Sequence, residues 1–526
     1  MLHQPSRWLA HTAIITLLLM IVFFGPISAQ SDEEKDAAEN VILTDSVTRP
    51  LIDQLEVRPI PLIQQADGPT AAFRPTVDIR LSPVDVEALR QEDETLNQQL
   101  RKQRVGIVRP LPEVVSSAMQ TALGRWQTAK NDKQFWVLTI ESPEAQAIRI
   151  HLENLQLPPG AQIIVYNSND LQEAYGPYNA QNLADQSDLW TASVFGAQVT
   201  LEYSAPASMA NQAIPFTIKE ISHVYVNPNL FLQAQEGNCH NDVTCHTSWA
   251  SQAKGTARYT LVEGGSSYLC SGALLNDLDS GTYEDYFLTA NHCVNSQTVA
   301  STTEFFWFYQ TSTCNGTPPP LSSVPRTTGG ADLLSASSAN DHALMRIRNQ
   351  TPNNVIYLGW TTAALSQGNS VTGIHHPTGA YKRISFGSVT GSDTNFWATV
   401  WSSGVTEGGS SGSPLFNADK RIVGQLWGGA SSCTVQNGTD TYGRFNQTYP
   451  SIRRWMEIGG TINVDSAYSG VEQGTPTQPF RTAASANNFA WRDARIRFKA
   501  GSYTGAITFD KPVTLIADGG TVTIGN

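Results

Sequence analysis

Three short segments bring the side chains of nucleophilic catalysis into one stretch of the chain: TANHC at 289–293 with His292, NDHALMRI at 340–347 with Asp341, and GGSSGSP at 408–414 with Ser411. A serine hydroxyl is a weak nucleophile near neutral pH. It needs an imidazole to take its proton and a carboxylate to hold that imidazole in the right tautomer. All three groups are supplied here in the order His, Asp, Ser. A strand-to-helix elbow of the GxSxG kind is a poorer match, because Ser413 stands where its second glycine would and His292 precedes the serine.

The elements that must position these groups follow from composition. A chain of 526 residues is too long for one hydrophobic core, so several domains are expected. The net charge of −12, with no basic run to neutralise phosphates, excludes nucleic acid as an expected partner. At the amino end Arg7 precedes an apolar run from Ala13 to Phe24, then Gly25, Pro26, Ser28 and Ala29. That pattern reads as a secretory signal over residues 1–29, cut after Ala29. The protein is expected to be secreted, with no membrane partner once the signal is removed.

Six cysteines fall at 239, 245, 270, 293, 314 and 433, an even count confined to one region, and read as three disulfides within one domain. His240 and His246 each follow a cysteine, but the spacing matches no common zinc-ligand pattern, so neither metal nor cofactor is expected.

Four further segments follow the signal. Residues 30–110 are polar, with a helix-like, solvated stretch at 82–104, and read as a partly disordered or helical leader. Residues 111–235 carry short apolar runs, FWVLTI at 135–140, AIRIHL at 147–152, QIIVYN at 162–167 and VTLEY at 199–203, separated by turn strings as in a β-sandwich. Residues 236–469 hold every cysteine and strand candidates such as YTLVE, YFLTA, ALMRI and RIVGQLW, at the spacing of an all-β barrel or sandwich. SIRRWM at 451–456 is the one closing helix expected there. Residues 470–526, with RIRFKAGSY, PVTLIA and TVTIG, resemble the first rungs of a parallel β-helix.

The region from about 237 to 469 resembles trypsin-like serine proteases, and among them the bacterial lysyl endopeptidase group. The resemblance is carried by GNCHNDVTC, YLCSGALLND, YFLTANHC, NDHALMRI, IHHPTGAYKRIS, GVTEGGSSGSPLFNADKRIVGQLWGGASSC and DTYGRF. It implies an all-β-dominant fold, a chymotrypsin-like double β-barrel, preceded by the β-sandwich-like propeptide and followed by the short β-helix-like tail. It implies Ser411 as nucleophile, His292 as general base and acid, Asp341 as the group orienting His292, and the backbone N–H groups of Gly409 and Ser411 as an oxyanion hole. It also implies the pairs Cys239 with Cys433, Cys245 with Cys314 and Cys270 with Cys293. Asp332 in GGADLL is the rival orienting carboxylate; Asp341 is preferred because it leads directly into an apolar strand.

The same resemblance places Asp440, in DTYGR, in a primary pocket lined by Trp427, Gly428 and Gly429, where it would pair with a substrate cation. Two departures bear on this. Trp427 stands where the family has a histidine, and the tryptophan that stacks on that histidine has no clear counterpart, although Trp397 and Trp401 lie nearby in sequence. Ser410 stands where many trypsin-like enzymes carry the aspartate that receives a new amino-terminal charge, which argues against that activation route. The adjacent His375 and His376 are expected to be structural. The reading is a secreted serine endopeptidase acting after basic residues, Lys favoured over Arg, on protein or peptide substrates, with its own propeptide as a partner. The alternative is a catalytically silent protease fold that binds a surface.

Overall fold

The computed structural model describes residues 41–51, 58–65, 76–129, 133–183, 186–206, 213–227, 239–279 and 281–525. The expected signal over 1–29 and the junction expected at 235–236 lie outside the described residues. Among the described residues no helix is long and apolar enough to cross a membrane.

FWVLTI reads as a continuous apolar run because both faces of its strand are covered. In Gln134–Glu141, Trp136, Leu138 and Ile140 enter a core shared with Ile150, Ile163, Leu201 and Ile218. Phe135 and Val137 pack on the opposite face against Leu62, Ile63 and Ile164. The core is enclosed by two sheets. One runs Ile79–Arg80, Gln134–Glu141, Gln198–Ser204, Gln162–Asn167, Asp170–Asn179; the other includes Ala147–Glu153, Thr217–Val224 and Gln103–Val115.

The boundary expected at 110 falls inside the strand Gln103–Val115. Its VGIV sequence at 105–108 was hidden in polar surroundings, and Val105 is buried. The preceding helix, Val86–Leu100, begins at Asp85, whose side chain accepts the Ala88 N–H at 3.0 Å. The helix is solvated over most of its surface, as expected, but it is not free. Arg104 donates to Asp93 and Glu92 at 2.6 Å each, and Tyr225 donates to Asp93 at 2.6 Å, clamping it to the strand. The segment before it is also attached: Val47–Thr48 pairs with Ile356–Tyr357.

The strand Gln103–Val115 continues the sheet into the cysteine-bearing region. It pairs antiparallel with Ser266–Leu274, Gln103 opposite Leu269 and Ile107 opposite Ser266, giving one 12-stranded sheet. Buried polar contacts reinforce the junction. Arg149 donates to the carbonyls of Thr191 and Thr302 at 2.8 and 2.7 Å, and Glu304 accepts the Ser193 N–H at 3.1 Å while pairing with Arg326 at 3.3 Å.

Two barrel-like sheets make up the cysteine-bearing region. The first, with Thr256–Glu263, Ser266–Leu274, Tyr286–Ala290, Glu304–Phe306, Ala331–Ser337 and His342–Ile347, curls around Tyr259, Phe287, Phe305 and Trp307. The second closes on itself, because Arg383–Ser392 pairs with both Ser370–His375 and Phe396–Ser403. The fold is all-β dominant and a double β-barrel. The disulfides are Cys239–Cys433, Cys245–Cys314 and Cys270–Cys293. The closing helix is longer than expected, Phe445–Ile458.

Three strands, Thr461–Val464, Arg495–Tyr503 and Thr514–Ile524, then pair in parallel around Ile462, Val464, Ile496 and Phe498. The first of them precedes the boundary expected at 470, since its four residues are too short a run to stand out beside the helix.

Glu202 supplies a pH test of the leader. Its carboxylate accepts the N–H groups of Leu62 and Ile63 at 2.8 and 3.2 Å, yet burial raises its pKa to about 7 from 4.5. The native state then holds a proton that the unfolded chain releases, so stability is full below pH 4.5 and falls as pH rises toward 7, by about 3 kcal/mol at most. In full-length Ser411→Ala protein, urea unfolding at pH 5 and pH 8 should show this loss, and Glu202→Gln should flatten it.

Candidate active site

The strand register brings His292 and Asp341 together. Tyr286–Ala290 and His342–Ile347 are antiparallel with Ala290 opposite His342, so residues just past one strand meet residues just before the other. Asp341 adopts a left-handed conformation, φ 56°, and is buried. Both of its carboxylate oxygens serve His292: one accepts the backbone N–H at 2.8 Å, the other lies 2.7 Å from Nδ1. Cys293 is bonded to Cys270, which ties this corner to the neighbouring strand.

Ser411 comes from the second barrel, on the loop before Pro414–Phe416. The loop is fastened to the first barrel, since Ser271 donates from its N–H to the Ser411 carbonyl and from its hydroxyl to the Gly409 carbonyl, both at 2.9 Å. Two glycines permit its path. Gly409 has φ +90°, and a Cβ on Gly412, φ +79°, would lie 2.1 Å from Thr289 Oγ1. Ser410 Oγ lies 2.9 Å from His375 Nδ1, and His376 Nδ1 lies 2.8 Å from the Ala380 carbonyl. Burial holds both imidazoles well below their ordinary range, so they pack as neutral groups.

A residue that the sequence did not single out sits between the two halves. Arg101, the left-handed cap of the helix Val86–Leu100 at φ 56°, presents its carbonyl oxygen to Ser411 Oγ at 2.6 Å and to His292 Nε2 at 3.0 Å. One oxygen thus spans hydroxyl and imidazole. The Arg101 guanidinium lies 3.4 Å from the ring centroid of Trp427. The only sequence signal was a dibasic pair, Arg101-Lys102, after a helix-like run.

Asp440 is buried beneath the adjoining cleft. It accepts from Trp401 Nε1, Thr406 Oγ1 and Ser431 Oγ at 2.6 Å each, and from the Ser431 N–H at 3.1 Å. Thr406 and Ser431 line the cleft together with Ser411, Trp427, Gly428 and Gly429. Trp401 was noted only as a neighbour in sequence; Thr406 and Ser431 were missed, being brought in by folding alone. Asp332 lies elsewhere, on two arginines: Arg346 and Arg348 each donate to it at 2.8 Å. Although burial would raise that carboxyl, the two guanidinium groups outweigh it and hold it low.

Histidine on carboxylate with serine opposite, at the junction of two β-barrels, defines a trypsin-like serine protease. Family models agree on the narrower group: the C-terminal domain of lysyl endopeptidase matches residues 233–443, and the lysyl endopeptidase N-terminal domain matches residues 80–225. The chain belongs to the lysyl endopeptidase group and is a serine endopeptidase. It is 28% identical over 337 residues to a lysyl endopeptidase of Pseudomonas aeruginosa, covering 59% of this chain and 71% of that one. It is also 28% identical over 203 residues to a secreted RxLR effector protein 73 of Plasmopara viticola, covering 36% of this chain and about half, 48%, of the other. Among solved structures, the HtrA-type protease AlgW with tripeptide is 16% identical at a TM-score of 0.29, over 40% of this chain and 63% of that one. A serine endoprotease from Yersinia pestis is 14% identical at 0.28, over 40% and 65%.

The two aspartates are separable by mutation. Asp341→Ala should lower peptide-bond turnover by about 10⁴-fold, the scale set by removing the orienting carboxylate of such a triad, while Asp332→Ala should leave turnover within a few-fold and lower thermal stability instead. Steady-state kinetics and thermal melts on the processed enzymes check both.

Proposed function

We propose that Ser411, His292 and Asp341 act as nucleophile, general base and orienting carboxylate in an exported endopeptidase that cuts after basic residues, Lys above Arg, and that the leader and β-sandwich, residues 30–235, are removed as its propeptide. The supporting observation is the meeting of Ser411 Oγ and His292 Nε2 at one substrate-like carbonyl, with His292 Nδ1 on Asp341. In turnover, His292 Nε2 takes the Ser411 proton as Oγ bonds to the substrate carbonyl carbon. The resulting oxyanion is met by the N–H groups of Gly409 and Ser411. The intermediate collapses as His292 gives the proton to the leaving amine, and water then repeats the sequence on the acyl-enzyme.

The pocket supports a lysine. The Thr406 and Ser431 hydroxyls donate to Asp440, leaving oxygen lone pairs for a cation in the cleft, backed by a carboxylate. A compact ammonium with three donors suits that ring of acceptors better than a planar fork. Trp427, in place of the family histidine, offers a face to a guanidinium, as its stacking on Arg101 illustrates, so Arg is admitted second.

The leader holds the enzyme latent in this reading. The Ser411 hydroxyl donates to the Arg101 carbonyl instead of to the imidazole. Both nitrogens of His292 are engaged, Nδ1 by Asp341 and Nε2 by the same Arg101 carbonyl, so the ring position that would serve the serine is occupied by the leader. The six paired cysteines and the apolar amino-terminal run support export. A fluorophosphonate should label the processed protein and not its Ser411→Ala variant. A peptide panel should rank Lys over Arg over all others before the cut bond, with Asp440→Asn lowering kcat/KM for Lys by about 10²-fold, an ion pair's worth of transition-state binding. Preference for an acidic or apolar residue would overturn the assignment.

A further inference from the structure

We propose that the leaving-group side of the cleft carries a second cation subsite, formed by the Glu263 carboxylate, the Tyr268 ring and the His292 carbonyl, so that peptides with Lys directly after the cut bond are preferred. This rests on the endopeptidase reading above and specifies its substrate.

The polarity of the leader in the cleft assigns the side. The carbonyl facing Ser411 belongs to Arg101, so Lys102 occupies the place of the residue that departs with the amine. Gln103 then pairs with Leu269, carrying the chain away along Ser266–Leu274. Lys102 is held on the barrel side of the cleft. Its ammonium ion-pairs with Glu263, donates to the His292 carbonyl at 3.2 Å and lies 4.5 Å from the Tyr268 ring centroid, and its side chain is 5% exposed.

Every group of that cage belongs to the protease barrels and stays when the leader leaves. Glu263 ends one strand and Tyr268 lies on the next, joined by the turn at Gly264-Gly265, with Glu263 opposite Ser266. Asn295 donates to the second Glu263 oxygen at 3.3 Å, which orients the carboxylate. Cys270, two residues past Tyr268, is bonded to Cys293, beside His292. The cage is therefore held by the same covalent corner that holds the general base. Three acceptors of different kinds around one nitrogen fit a primary ammonium, which has three donors and no preferred plane. With the leader gone, a substrate lysine replaces Lys102.

The test uses the processed enzyme and three peptides identical except for Lys, Ala or Glu after one cut bond. The wild type should cleave them in the order Lys, Ala, Glu, with kcat/KM at least about tenfold higher for Lys than Ala, expressed mainly in KM. Glu263→Gln should bring the Lys and Ala peptides within about threefold, through a rise in KM for the Lys peptide, and Tyr268→Leu should reduce the preference in part. Equal cleavage of Lys and Ala by the wild type, or a preference that survives both substitutions, overturns the subsite while the endopeptidase reading stands. Cleavage of none of the three overturns both. Should the variants fail to mature, full-length Lys102→Ala protein should react with a fluorophosphonate faster than the wild type, and an unchanged rate overturns the cage.

Discussion

Both oxygens of the Asp341 carboxylate are spent on one histidine, and the architecture around them serves that engagement. Holding the backbone N–H and the ring Nδ1 of His292 together leaves the imidazole one orientation, with Nε2 toward the cleft. A carboxylate can do this only if the chain turns sharply just before its strand. Asp341 accordingly sits at positive φ, a conformation that aspartate tolerates better than most residues. The first barrel sets the register that joins the two side chains, the Cys270–Cys293 bond stiffens the corner, and the second barrel brings the serine loop across. His292, Asp341 and Ser411 therefore lie at a seam between the two barrels.

The leader exploits that seam. Its helix ends in a left-handed turn, and the turn delivers a carbonyl to the one place where hydroxyl and imidazole both reach it. Apolar packing of Ile42, Val47 and Phe195 on the barrel clusters is joined by two further kinds of contact. Strand pairing through Gln103–Val115 gives direction and register, while Arg149, Glu304 and Arg326 form a buried polar network at the junction.

The chemistry was far more legible in the sequence than the boundaries. His292 and Asp341, which hydrogen-bond to each other, and Ser411, which meets the same Arg101 carbonyl as His292, each lie in a short string that stands out locally. The disulfide partners and the double barrel followed from the family resemblance those strings carry, since six cysteines by themselves leave the pairing open. Where the reading fell short, the controlling contact is distant along the chain. VGIV at 105–108 was overlooked within polar neighbours because the strand facing it, Ser266–Leu274, lies more than a hundred residues on. Residues 62–65 have no pattern of their own; they are ordered by Glu202 and by the outer face of Gln134–Glu141. Arg101 and Lys102 looked like ordinary surface cations after a helix, and nothing short of the folded chain brings them to Trp427 and Glu263.

The sheet that spans leader and barrel also separates two events that are easily taken for one. Hydrolysis of a peptide bond between residues 227 and 239 would sever the backbone and leave the ladder from Gln103 to Ile107 untouched. The freed piece would stay seated like a bound subunit, its off-rate set by the cooperative peeling of a β-edge. Wakefulness of the enzyme would then be timed by unzipping, with dilution or digestion of the detached piece hastening it.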